Sequence, residues 1–228
     1  VRAALKALSY NEYDIKENLQ GYRNFVNLTR RQILKPSLKT YDFQISSKNH
    51  NIPVRVYSPE ANFDCPLLLF FHGGGWVAGS IESYNKICTN MARLTNHKVV
   101  SVDYRLAPEN PFPAGLEDCY ETAKAFIAND EINDKEVTLI GDSAGGNLAA
   151  ALSLLARDRK EFKVDKQILI YPSTYNDYTE NSPFKSVIEN GTDYLLTSKR
   201  IRDYMDLYKT KEDDIYSPYF APLLSRDF

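Results

Sequence analysis

Gly141-Asp-Ser-Ala-Gly145 sets one serine between small residues two positions to either side. That spacing permits a sharp strand-to-helix turn that exposes the hydroxyl, the posture of a nucleophile in acyl transfer. The apolar run Val137–Ile140 precedes it and the alanine-rich stretch Asn147–Leu155 follows. Ser143 is therefore expected at a helix N-terminus, with the amide of Ala144 pointing where an oxyanion would form. A second cluster, His72-Gly-Gly-Gly-Trp76, supplies glycines whose backbone can approach a carbonyl closely and turn its N–H groups inward. Gly73 and Gly74 are the natural donors. The four candidate catalytic residues are Ser143, Gly73, Gly74 and Ala144.

The elements that must position them follow from periodicity. Pro66–Phe71, Lys98–Tyr104, Val137–Ile140 and Gln167–Tyr171 are short, apolar and rich in branched or aromatic residues, as strands buried on both faces should be. Tyr84, Ile87, Cys88, Met91 and Ala92 recur at helical spacing, as do Leu116, Cys119, Tyr120, Ala123, Phe126 and Ile127. Alternation of strand and helix implies a parallel sheet with right-handed crossovers. Upstream, Tyr41–Ile45 and Ile52–Tyr57 alternate with period two about the turn 46–51, an antiparallel hairpin at one sheet edge where Pro53 is tolerated. Each unusual cluster then falls just past the C-terminal end of a parallel strand, where open α/β sheets place their sites. Residues 1–38, with helical spacing at Ile15, Leu19, Tyr22 and Val26, and the tyrosine-rich stretch 173–215 lie outside this sheet as lid elements. Their aromatic stripes read first as core packing and second as substrate contact.

HGGGW at 72–76, YRLAPE at 104–109 with PFPA at 111–114, GDSAGGN at 141–147 and SPYFAPL at 217–223 stand in the order and spacing of the hormone-sensitive-lipase-like esterases of the α/β-hydrolase fold. The chain resembles that family along nearly its whole length. The resemblance implies hydrolysis of carboxylic esters of small or medium acyl chains, with Ser143 as nucleophile and the N–H groups of Gly73, Gly74 and Ala144 as oxyanion hole. It also implies a single domain over residues 1–228, with cap elements at about 1–38 and 173–215 over an acyl pocket. Arg105 and Glu109 match residues that support the site from behind and do no chemistry.

The family's triad continues with an acid after the next strand and a histidine after the last. The three histidines here are His50 in the hairpin turn, His72 opening the glycine loop, and His97 at the wrong end of the sheet. Asp206, Asp213 and Asp214 fall in the cap and Asp227 precedes the expected strand, so none matches the acid. The expectation is an N-terminal part of a longer hydrolase lacking two strand–helix units, on the order of 60 residues. By itself it should be nearly inert, since loss of triad members costs roughly a millionfold in turnover, and fragile, since lacking two strands would leave Gln167–Tyr171 as an unpaired edge.

Composition excludes other classes. Its 228 residues, 43% hydrophobic, suffice for the packed core of one α/β domain. The net charge of −2 arises from 28 basic and 30 acidic residues with no long run of one sign, which argues against a nucleic-acid partner. Three scattered cysteines suggest neither a disulfide framework nor zinc and fit a reducing compartment. No apolar run reaches the length of a membrane span, and a cytoplasmic location is expected. The expected partner is a small ester, with no metal or organic cofactor; a homo-oligomer is allowed. Two alternatives stand beside the hydrolase. One is a catalytically inactive, hydrolase-like binder of a small ligand, for which the missing histidine speaks. The other is a dinucleotide-binding oxidoreductase, since Gly73–Ala78 also satisfies G-x-G-x-x-G/A and Asp103 ends the next strand. Bulky Trp76 and the delayed helix count against it, and it leaves GDSAGG unexplained.

Overall fold

The computed structural model describes residues 14–30, 38–59, 65–128 and 136–227. Six strands form one sheet: β1 (Lys39–Ser46), β2 (Asn51–Ser58), β3 (Leu67–Phe71), β4 (Lys98–Val102), β5 (Val137–Asp142) and β6 (Lys166–Ile170), in the spatial order β1-β2-β4-β3-β5-β6. The hairpin β1–β2 is antiparallel and docks antiparallel on β4, whereas β4, β3, β5 and β6 run parallel.

Every residue of β3, β4 and β5 is buried, because helices cover both faces. The period of two divides each strand between two layers. Leu67, Leu69, Phe71, Val100 and Leu139 pack with Leu116, Cys119 and Leu148 of α3 (Ala114–Ile127) and α4 (Ala144–Arg159). Leu68, Phe70, Val99 and Ile140 face Tyr84, Cys88 and Ala92 of α2 (Ile81–Thr95). A capping box starts α2: the Ser80 hydroxyl accepts the Ser83 N–H at 3.2 Å, and Ser83 Oγ accepts the Ser80 N–H at 2.9 Å.

Three sequence expectations need correction. Ile87 is 46% exposed, on the outer edge of α2's apolar stripe. The β6 strand is not buried on both faces; it is the unpaired edge expected above, with Lys166, Gln167 and Ile168 exposed and only β5 paired with it among the described residues. Pro53 sits in β2, one strand in from the edge. The ladder to β4 begins only at Val54, and the Pro53 carbonyl accepts the Asp103 N–H at 2.9 Å, so the missing N–H breaks no ladder bond.

Outside the sheet and its covering helices lie α1 (Leu19–Arg30), α5 (Lys185–Glu189), α6 (Ser198–Tyr208) and two 3₁₀ turns at Glu212–Tyr216 and Pro222–Leu224. The helical spacing read in residues 1–38 resolves into α1, which buries its Val26, with Ile15 buried just ahead of it; residues 1–13 and 31–37 lie outside the described residues. Tyr204 of α6 donates to the Tyr22 hydroxyl of α1 at 2.7 Å, and Lys16, just ahead of α1, pairs with Asp206 of α6 at 2.6 Å, so a hydrogen bond and an ion pair tie the two segments. Asp206 also meets Lys209, and buried Asp214 accepts the N–H groups of Thr210 and Lys211. Cys65, Cys88 and Cys119 are buried and form no disulfide. Among the described residues no helix is long and apolar enough to cross a membrane, and no group of His, Cys, Asp and Glu could hold a metal ion.

Candidate active site

Ser143 is the single residue between β5 and α4. Its backbone is left-handed, with φ 53° and ψ −117°, a conformation that a residue with a side chain adopts only when its surroundings impose it. The surroundings are identifiable. The Ser143 N–H is held by the Ile170 carbonyl at 2.9 Å, and its carbonyl accepts from Asn147 at 3.0 Å and Ser173 at 3.3 Å. Gly145 lets α4 lie directly on the end of β3: a Cβ there would fall 2.6 Å from the Phe71 carbonyl carbon and 2.7 Å from the His72 carbonyl oxygen. The Ser143 side chain is half-buried, and its hydroxyl has no hydrogen-bond partner among the described residues.

The glycine loop leaves β3 beside this turn. The Gly73 N–H donates to Asp142 Oδ1 at 2.9 Å, which joins the loop to the serine turn. The Gly73 N–H, expected as an oxyanion donor, thus has a carboxylate acceptor in this structure. The N–H groups of Gly74, Gly75 and Ala144, by contrast, have no acceptor among the described residues. Gly75, at φ 63°, has the Tyr204 ring against its Cα: a Cβ would sit 2.6 Å from the ring carbons.

Behind the loop the sequence clusters converge on one aromatic group. The Trp76 ring lies flat on Tyr208, centroids 4.5 Å apart and planes 2° from parallel. Phe112 meets Tyr208 and Phe220 edge-on at 5.6 and 5.4 Å. Asn147 Nδ2 donates to the Phe220 carbonyl at 2.8 Å and to the Ser173 carbonyl at 2.7 Å, pinning two loops to the first turn of α4.

Each histidine is engaged elsewhere. His72 is buried, stacked on Tyr104 at 4.3 Å, and Tyr104 donates to the His72 carbonyl at 2.7 Å; burial pushes the Tyr104 phenol well above its ordinary pKa and keeps that proton in place. His50 Nε2 lies 2.7 Å from Asp118 Oδ1. His97 Nδ1 lies 2.7 Å from the Thr95 carbonyl, at the start of β4 and thus at the opposite end of the sheet from Ser143.

The supporting residues act at one remove. Arg105 donates its backbone N–H and its guanidinium to Asp118, at 2.9 and 2.8 Å. Glu109 holds Arg23 in a two-pronged pair at 2.8 and 2.7 Å, and the Arg23 bond pulls the Glu109 carboxyl down to about 2. Arg23 also donates to the carbonyls of Val77 (2.7 Å) and Ala107 (2.9 Å), so α1 is fastened to the ends of both motif loops. No pattern in the sequence singled out Arg23. The Asp142 role was visible only as the residue before the serine, and its partner Tyr84 only as one of a helical stripe. Asp103, the candidate ribose acid of the dinucleotide reading, accepts the Ile81 N–H at 3.2 Å at the head of α2, and burial raises its carboxyl above the ordinary range.

This architecture, a mostly parallel sheet with a strained serine between strand and helix, is that of an α/β hydrolase. Residues 68–228 match the family model described as alpha/beta hydrolase fold. The chain is 36% identical over 218 residues to an arylesterase of Saccharolobus solfataricus, covering 93% of this chain and 70% of that protein. It is 37% identical over 196 residues to the carboxylic ester hydrolase LipN of Mycobacterium tuberculosis, covering 81% of this chain and 50% of LipN. The solved structure of a hyperthermophilic esterase from Pyrobaculum calidifontis superposes with a TM-score of 0.81 at 33% identity, covering 98% of this chain and 74% of that one. The chain belongs to the hormone-sensitive-lipase-like carboxylesterase family of the α/β-hydrolase fold. It spans half of LipN's length and 70% of the arylesterase's.

Proposed function

We propose that this chain carries the nucleophile and oxyanion hole of a carboxylic ester hydrolase acting through an acyl-enzyme on Ser143. The observation that carries the reading is the left-handed Ser143 at the mouth of α4, with the open N–H of Ala144 beside it. Strain of about 1–3 kcal/mol at one residue persists where it serves a function. The oxyanion donors are Gly74 and Ala144, with Gly75 in place of Gly73, whose N–H Asp142 occupies. Attack by Ser143 Oγ on the ester carbonyl moves the carbonyl electrons to oxygen, where these amides meet them; the alcohol leaves, and water then releases the acid.

The imidazoles of His50, His72 and His97 face Asp118, the Gly73 carbonyl and the Thr95 carbonyl, so we propose that the general base and its orienting acid come from outside these 228 residues. α1 and residues 173–215 form the cap of the same domain, and the aromatic group around Trp76 backs the acyl site. The engaged histidines also favour a second reading, a binder without turnover. The test uses the protein from its complete reading frame. A phosphonate probe is expected to label Ser143 by mass, and Ser143→Ala is expected to abolish hydrolysis of a p-nitrophenyl acyl ester. Hydrolysis retained in that variant refutes the assignment, and an unlabelled, inert parent supports the binder.

A further inference from the structure

We propose that Asp142 is a positioning residue whose carboxylate sets the spacing between nucleophile and oxyanion donors; the inference rests on the esterase reading above. Asp142 is 8% exposed and ends β5. One carboxylate oxygen accepts the Gly73 N–H at 2.9 Å, and the other accepts the Tyr84 O–H at 2.8 Å. The Tyr84 hydroxyl is itself 3.2 Å from the Gly73 nitrogen, so the three groups close a ring of contacts. Tyr84 is buried in α2, its ring packed on Phe70 at 5.5 Å and His72 at 5.7 Å, and it cannot follow a drifting loop.

The working groups lie one residue beyond these anchors. Ser143 follows Asp142, and Gly74 follows Gly73. Asp142 therefore joins the peptide beside the nucleophile to the peptide beside the donors, across the gap between β5 and β3. Oxyanion donors act within a narrow range of distance, and a misplacement of about 1 Å costs on the order of 100-fold in rate. Electrostatics alone argues against an acid here, since its charge opposes an oxyanion forming nearby. What the acid alone supplies is acceptance on both sides: an amide would turn a donor toward either Gly73 or Tyr84.

The experiment compares Asp142→Ala, Asp142→Asn and Tyr84→Phe in the protein from its complete reading frame. Measured are kcat and KM on a p-nitrophenyl ester, inhibition by a trifluoromethyl ketone that forms an oxyanion on serine, and the thermal midpoint. Expected losses in kcat are about 100-fold for alanine, about 10-fold for asparagine and a few-fold for Tyr84→Phe, with KM held within about threefold. Ketone affinity is expected to fall in step with kcat/KM, and phosphonate still labels Ser143. A folded alanine variant with kcat within threefold of the parent overturns the proposal. If that variant does not fold, the other two decide: kcat and ketone affinity both within twofold of the parent in each overturn it. Loss in KM alone also overturns it. Activity surviving Ser143→Ala is a different failure, that of the esterase reading itself.

Discussion

Removing the Arg23 side chain should loosen α1 from the sheet, and the structure says which of its bonds matter. The guanidinium is 17% exposed and divides its donors between two kinds of acceptor. The carbonyls of Val77 and Ala107 belong to fully buried residues and would be orphaned by Arg23→Ala. Bonds from a charged donor are worth about 1.5–3 kcal/mol each, less whatever water recovers. Glu109 is 57% exposed, so its ion pair contributes no more than about 1 kcal/mol however far its carboxyl is shifted. Arg23→Ala should therefore cost about 3–4 kcal/mol and Glu109→Gln about 1 kcal/mol or less. The assay is urea unfolding of the parent, both single variants and the double variant, which yields the pair's coupling energy. The sign of the pH effect follows from the same bond. The folded-state pKa of Glu109, about 2, lies below its ordinary 4.5, so the pair's contribution is fully present above about pH 4.5 and lost as pH falls toward 2. The gap between parent and Arg23→Ala should narrow over that range by the pair's share only, while the carbonyl share persists. If Glu109→Gln costs as much as Arg23→Ala at pH 7, the division is wrong and the ion pair holds the helix.

Three further substitutions, one of them a control, test the frame of the fold around the site. Gly145→Ala should fail to fold or lose more than about 3 kcal/mol in denaturant unfolding, because its Cβ meets backbone at 2.6 and 2.7 Å where nothing flexible can yield. Gly146→Ala, whose nearest contacts are 3.0 Å, is the control and should lose less. Asp118→Ala should cost about 3–5 kcal/mol by thermal or chemical unfolding, since a carboxylate 2% exposed is the partner of both Arg105 and His50.

The sheet was readable in the sequence because its central strands are uniformly apolar and its helices carry clean stripes. What failed were positions where a neighbour decides. Ile87 fits the helical stripe yet lies outside, since α2 leaves its outer edge uncovered. Gln167–Tyr171 has strand composition, but its burial depends on what pairs beside β6, which no local pattern encodes. The site divides in the same way. Ser143 and the glycine loop announce themselves, because a sharp turn and close backbone approach demand particular residue types. That the Gly73 N–H is bound was not legible, since its acceptor is a carboxylate 69 positions away in the chain. Arg23, an unremarkable helical arginine, finds its four acceptors only once α1 lies across two loops.

The strained serine shows why the parts are distributed this way. A left-handed residue with a side chain relaxes unless both its neighbours are fixed, and here each is fixed by a different layer. On one side the β5–β6 ladder ends at Asp142, with the Ser143 N–H bound to Ile170. On the other, α4 is pressed onto β3 at Gly145 and pinned through Asn147 to the loops after β6 and before the last 3₁₀ turn. Straightening Ser143 would require lifting a sixteen-residue helix off the sheet, at the cost of exposing Leu148, Leu152 and Leu155. At about 1.5–3 kcal/mol per buried leucine, that packing exceeds the strain of one residue. The hydroxyl is thus held in position by the hydrophobic core itself.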